Sequence, residues 1–314
     1  MWGCGEDMSM HRTKMIKRRN RLRQSKGDRV FDAITLVLLL LFAAIVAYPL
    51  IYVVSASLSS TDAVISGSVW LLPVEPNLEA YKAVFTNASI LSGYKNAFIY
   101  TAGSTILTLI MTVLCGFSLS RKDFYGRSIF STLILFTMFF SGGLIPTYLL
   151  IKDLGMLDTI WPMILPNAVW PWFIILARTY MANSIPEEMY ESANLDGCSV
   201  FGMLWYITLP LSGAILAVVA LYCAVGNWNS YFDAFIYLSK PNMQPLQVVL
   251  RNILILNSMD IGQVADLRNM ATRQGMTNLL KYAIIVVSSA PLLILYPFVQ
   301  KYFVKGVMIG SIKG

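Results

Sequence analysis

Four carboxylates, Glu187, Glu188, Glu191 and Asp196, fall within ten positions of a chain otherwise rich in apolar residues. An ionised carboxylate is costly in hydrocarbon, so this group belongs outside a bilayer, with Glu191 and Asp196 available to basic partners. Further along, Asn227, Asn229 and Asp233 are interleaved with Trp228, Tyr231 and Phe232. Amides and a carboxylate supply the hydrogen bonds that sugar hydroxyls need, and the C–H face of a sugar ring stacks on an aromatic ring. No nucleophile signature and no G-x-x-x-x-G-K-[ST] loop occurs, and the lone His11 lies in a basic arm. These residues point to binding and coupling rather than catalysis, and the chain has no Walker loop with which to hold ATP.

The elements that must position the acids can be read locally. Ser184 and Glu187 have capping-box spacing, and Pro186 with two Glu in the first turn suits a helix N-terminus. Gly197 can end that helix in the left-handed conformation, and Ser199 can cap a second short helix running to Thr208. The product is a helix, a bend and a helix. Small side chains at Ser192 and Ala193 let another surface approach the backbone closely. By capping and charge alone, the segment reads equally as a solvated amphipathic helix between two spans.

The frame around them is a membrane protein. Hydrophobic residues make up 56% of 314 and charged ones 13%, with a mean hydropathy of +0.62, against about 25% charged in soluble domains. Uncharged runs at 33–57, 96–120, 128–151, 159–177 and 282–300, and a sixth placed at 209–236 with Pro210 in its first turn, approach or exceed the ~20 residues needed to cross a bilayer. An all-α integral membrane protein of six transmembrane helices is expected. Of 24 Lys and Arg, 16 fall on the face that holds both termini, which the positive-inside rule makes cytoplasmic. A basic arm over 1–29 precedes a six-helix domain over 30–314. The arm reads as an orientation signal rather than a nucleic-acid or lipid tail, and the first span is too long for a cleavable signal. Cys4, Cys115, Cys198 and Cys223 have no paired spacing, so neither a disulfide framework nor a zinc site is expected.

Within the fifth span, Asn229 and Asp233 are spaced to share a helical face, as are Trp228 and Tyr231. They can line a sugar path; equally, the amides can hold helices together and the aromatics can form an interfacial belt. Gly142, Gly143, Pro146, Pro291 and Pro297 can bend spans three and six, and Pro162, Pro166 and Pro171 make the fourth irregular. The long external loop 239–281 contains a helix-like stretch near 247–256 and a polar tip.

The order Glu191-Ser192-Ala193, three residues, Gly197, nine residues, Ile207-x-Leu209-Pro210 resembles the EAA motif of membrane subunits in bacterial ABC importers, with Ser192 where the family usually has Ala. "SIPEEMYESANLDGCS", "GNWNSYFDAFIYL" and "YPFVQKYFVKGVMIGSIKG" are similar to the MalG-type branch that imports carbohydrates, and "MFFSGGLIPTYLL" to a subgroup serving oligosaccharides or modified glycans. The resemblance implies a type I ABC importer permease fold and a non-catalytic half-pore in the bacterial inner membrane. It implies a second homologous permease chain, two copies of a cytoplasmic ATPase carrying ATP and Mg, and an external substrate-binding protein. Segment 184–210 would dock on the ATPase through Glu188, Glu191, Ser192, Ala193, Asp196, Gly197, Leu209 and Pro210. The loop 239–281 would approach the binding protein. An ion-driven secondary transporter is the alternative, but it would want an ionisable residue mid-span or paired repeats, and a scaffold would leave the EAA spacing unexplained.

Overall fold

The computed structural model describes residues 25–259, 279–297 and 300, which form helices and loops with no strand among them. Contacts divide the chain into two compact units, Met1–Tyr52 and Val53–Gly314. The described part of the first unit is the body of helix α1 (Lys26–Ser57). Its large apolar side chains from Val30 to Leu50 are exposed, the character of a helix that meets lipid or another chain rather than water.

The second unit holds α2 (Thr61–Ile65), α3 (Glu79–Thr86), α4 (Ala88–Ser120), α5 (Arg127–Phe139), α6 (Leu144–Asp153), α7 (Pro171–Ser184), α8 (Glu187–Leu195), α9 (Val200–Leu211), α10 (Gly213–Asn229), α11 (Phe232–Tyr237), α12 (Leu246–Met259) and α13 (Leu279–Pro297). Helix α4 is its centre, with α7, α10 and α12 packed along it. It starts where the Asn87 side chain accepts hydrogen bonds from the Ser89 and Ile90 amides at 3.0 and 3.3 Å. Small residues let the neighbours in: a Cβ on Gly116 would stand 3.0 Å from the Ala177 Cβ of α7, and one on Gly93 would stand 3.1 Å from the Leu246 Cα of α12. In a bilayer, where apolar surface gains little by leaving lipid, such close backbone approach is a main source of helix association.

The runs expected as spans fall on α1, α4, the pair α5–α6, α7, the pair α9–α10 and α13. Among the described residues, α1, α4 and α13 are continuous helices long and apolar enough to cross a membrane; the two bent pairs make a fourth and a fifth if each is counted as one span, and the 14-residue α7 is too short. The third is broken: α5 and α6 meet at 110°, where Gly143 takes φ 86° and Pro146 offers no amide donor. The fourth, expected as helix over 159–177, holds only a turn at Trp161–Met163 before α7, because Pro162 and Pro166 cannot continue a helix; Pro171 fits as the first residue of α7. The fifth does not start at Leu209. Helix α9 runs through Pro210 and meets α10 at 78°, and α10 ends at Asn229 because Ser230 is extended, with ψ 110°.

The first half of the expected external loop is folded. Helix α12 buries Leu246, Val248, Val249 and Leu250, and the Asn96 side chain donates to the Asn242 and Gln244 carbonyls at 2.8 and 3.1 Å. The polar tip of that loop, and the C-terminal stretch of the resemblance beyond Gln300, lie outside the described residues.

Candidate functional site

The acidic segment is a hairpin of α8 and α9 anchored by one residue. Tyr190 is 5% exposed and packs in a cluster with Phe117 of α4, Ala177 and Met181 of α7, and Met203 and Leu204 of α9. Its hydroxyl lies 3.0 Å from the buried Thr208 hydroxyl, and the Arg121 guanidinium lies 4.2 Å over its ring. Burial pushes the phenol pKa up, opposed by the Thr208 hydrogen bond and Arg121, so the group is neutral at physiological pH. Lys122 reaches Glu187, and this hydrogen-bonded ion pair raises the lysine pKa. Both partners are substantially exposed, so the pair positions the start of α8 more than it stabilises it.

The bend follows the sequence. Gly197 has φ +74°, the Cys198 amide donates to the Ala193 carbonyl at 2.9 Å and the Gly197 amide to Asn194 at 3.0 Å, the paired bonds of a Schellman ending. Ser199 then caps α9, its hydroxyl accepting from the Gly202 amide at 3.2 Å. The capping box at Ser184 does not form: Ser184 is the last residue of α7, and α8 starts after Pro186 with no side-chain cap. Residues Met203–Thr208 form a wide π turn, and the Thr208 hydroxyl donates to the Met203 carbonyl at 3.3 Å. Pro210 follows after Leu209, and proline crowds the preceding turn, which accounts for the widening and for the bend at Ser212.

Glu188, Glu191, Ser192, Asp196 and Pro210 are exposed on this hairpin, and Ala193 and Leu209 are partly buried beneath it. The Ser192 hydroxyl turns inward to the Glu188 carbonyl at 2.8 Å, so the substitution of Ser for the family's Ala adds no bulk outside. The structure also shows what the acids obscured. Leu195, Val200, Phe201, Trp205 and Tyr206 are 89, 65, 76, 67 and 78% exposed. An apolar tip of this kind marks an interaction surface, and its sequence signal was the run "VFGMLWY", which reads as span when taken only as hydropathy.

The path residues are placed differently from one another. Trp228 is 5% exposed, packed near Tyr94 with ring centroids 5.9 Å apart, and its indole donates to the Ser288 carbonyl of α13 at 3.0 Å. Asn227 and Asn229 donate back to the Cys223 and Val225 carbonyls at 2.8 and 2.9 Å, and Tyr231 is exposed, edge-on to Phe232. Because Ser230 interrupts the helix, Asn229 and Asp233 do not share one continuous helical face, and neither do Trp228 and Tyr231. Asp233 instead faces a cleft of about 340 Å³ with Ser141, Gly143, Thr147 and Asn167, where the Asn167 amide donates to its carboxylate at 3.4 Å. Asn167 was missed because it follows Pro166 in a stretch that reads as span; the broken α5–α6 pair supplies the opposite wall.

The two ends of the unit are distinct. At one, the loop after α4 meets α8 through Lys122 and Glu187; at the other, the Asp158 carboxylate accepts from the Ser239 and Lys240 amides at 2.6 and 3.1 Å.

Residues 88–309 match the family described as binding-protein-dependent transport system inner membrane component. The chain is 37% identical over 294 residues to protein LplC of Bacillus subtilis (strain 168), covering 93% of this chain and 98% of that protein. It is 38% identical over 287 residues to the polygalacturonan/rhamnogalacturonan transport system permease protein YtcP of the same organism, covering 91% and 99%. A crystal structure of a bacterial ABC transporter involved in the import of the acidic polysaccharide alginate contains a chain that is 36% identical, with a TM-score of 0.80, covering 89% of this chain and 99% of that one. The broken spans, the hairpin and these matches agree: the chain belongs to the family of binding-protein-dependent transport system inner membrane components and is a permease subunit of an ABC importer with the type I permease fold.

Proposed function

We propose that this permease passes a carbohydrate, of oligosaccharide size, across the bacterial inner membrane, driven by ATP hydrolysis on a separate subunit. The observation that carries the coupling is the α8–α9 hairpin, held by Tyr190 and Thr208 as one body and presenting acids beside an apolar tip. A rigid hairpin transmits a displacement to α10 and α7 that a flexible loop would absorb. Its partner is a cytoplasmic ATPase in two copies, which holds ATP and Mg; this chain supplies no catalytic group. Glu188, Glu191 and Asp196 orient the dock, Leu195 and Phe201 bind, and Ser192, Ala193 and Gly197 keep the approach close. A second, homologous permease chain completes the pore, and an external binding protein delivers the glycan.

The carbohydrate assignment is supported by relatives named for polygalacturonan/rhamnogalacturonan and arabinooligosaccharides and by the polar cleft at Asp233 and Asn167. Asn227, Asn229, Tyr231 and Asp233 are proposed to contact the sugar as it passes, with Trp228 holding the end of α10 in place. Both termini and the hairpin are cytoplasmic by charge.

The test is reconstitution of the four-component complex in liposomes with labelled oligosaccharides. Uptake must need both ATP and the loaded binding protein, and uptake driven by an ion gradient alone would overturn the reading. Single cysteines at positions 196 and 77 should label from inside and outside respectively in oriented vesicles.

A further inference from the structure

Four cations cluster at the hairpin end of the second unit, and they are not used alike. Arg121 pairs with Asp123 at 2.9 Å and covers the Tyr190 ring, and Lys122 is paired with Glu187. Among the described residues, Arg127 and Arg178 have no carboxylate within ion-pair distance. Both line a cleft of about 900 Å³ between the α4–α5 turn and α7, together with Lys122, Phe124, Ser128 and Thr132. The one carboxylate in its wall, Asp123, is held below the usual carboxylate range by its bond to Arg121, so it is already committed. Glu187 dominates the raised pKa of Lys122, and Arg127 lies close enough to act against it, so like charges gather at this cleft.

The position of the cleft says what fills it. From its mouth, α5 runs away as a row of exposed apolar side chains, Ile129, Phe130, Leu133 and Phe136, 66, 51, 55 and 53% exposed. Tyr125, 97% exposed, stands at the rim. Guanidinium groups at the foot of an apolar helix, beside exposed aromatics, occupy the level of lipid headgroups, and a guanidinium fork matches phosphate oxygens. Basic pockets between helices on the cytoplasmic side are suited to anionic headgroups.

We infer that this cleft is a binding site for the phosphate headgroup of an anionic phospholipid, with Arg127 and Arg178 as its two ligands and the acyl chains lying along α5. The inference requires only that the chain sits in a membrane, not that it carries sugar. The hairpin's own apolar tip is a separate surface, so the ATPase does not need this cleft to dock.

The experiment uses the purified permease–ATPase complex, partly delipidated and returned to nanodiscs of phosphatidylcholine with graded phosphatidylglycerol, with bound lipid read by native mass spectrometry. Wild-type complex should retain phosphatidylglycerol over phosphatidylcholine. Arg127→Gln with Arg178→Gln should weaken that preference by about tenfold, the scale expected for losing two partly solvent-screened charge pairs. Lys95→Gln, an exposed cation elsewhere in the unit, should change nothing. Arg127→Lys with Arg178→Lys keeps the charge, guards against a folding defect in the Gln variant, and should retain most of the preference. Equal retention in the wild-type and Gln complexes overturns the site, as does equal loss in the Lys95 control. Displacement of the bound lipid by inorganic phosphate alone would make it a free-anion site instead. Loss of the ATPase from the Gln complex with lipid retention unchanged would make it a protein contact. Each of these last two results also rejects the lipid assignment.

Discussion

The hydroxyls of Tyr190 and Thr208 stand 3.0 Å apart in the buried heart of the hairpin, 18 residues apart in sequence. This bond links the first arm of the coupling segment to the second, and the Tyr190 ring links both to Phe117 of α4. Removing only the hydroxyl, in Tyr190→Phe, should cost about 0.5–1.5 kcal/mol and leave uptake measurable. Removing the ring, in Tyr190→Ala, should cost about 3–5 kcal/mol and separate ATP hydrolysis from uptake. Thermal unfolding of the complex and uptake per ATP hydrolysed would distinguish the two, and equal effects from both variants would reject the ring as the anchor.

Gly197 holds φ +74°, yet a Cβ built there meets nothing within 4 Å. The penalty for a side chain is therefore conformational, about 1–2 kcal/mol, and it should follow the residue's tolerance of the left-handed region. Gly197→Asn should couple nearly normally, whereas Gly197→Val should lose uptake while still inserting in the membrane. Comparable activity in both variants, normalised to inserted protein, would remove the bend from the coupling account.

Leu195 and Phe201 are exposed here, so replacing them should cost little folding stability, while burying each against a partner is worth about 1.5–3 kcal/mol. Leu195→Ser and Phe201→Ser should sharply reduce ATPase copurification. Glu191→Ala, which removes a solvated charge, should give a milder loss that deepens with added salt. A pull-down at two salt concentrations decides between them; a larger effect from Glu191 would make the dock chiefly ionic.

Trp228 is expected to act through packing. Trp228→Ala should lower the unfolding temperature of the complex and Trp228→Phe should do so less, because the ring contact with Tyr94 survives while the bond to the Ser288 carbonyl is lost. Asp233→Asn should leave stability alone and change uptake. If Trp228→Ala leaves the complex as stable as wild type but blocks transport, the residue belongs in the path after all.

Some features of this protein were determined by local sequence. The left-handed Gly197 and the Ser199 cap each depend on backbone preferences of one or two residues, and each is found where those preferences put it. That the chain is a helical membrane protein was likewise legible, because hydropathy is a sum over twenty residues and tolerates local error. Tertiary structure decided the rest. Ser184 satisfies the spacing of a capping box, but with Met181 and Ile185 packed in the hairpin cluster it becomes the last residue of α7, and α8 starts after Pro186 with no side-chain cap. Pro210 reads as the first turn of a span, yet the chain widens into a π turn ahead of it and bends only at Ser212. Trp228 and Asn229 are adjacent in sequence, but Trp228 is buried by α4 and α13 and Asn229 is left outside. Which neighbours cover a side chain, and how a proline's crowding is relieved, depends on helices distant in the chain, and no local spacing carries that information.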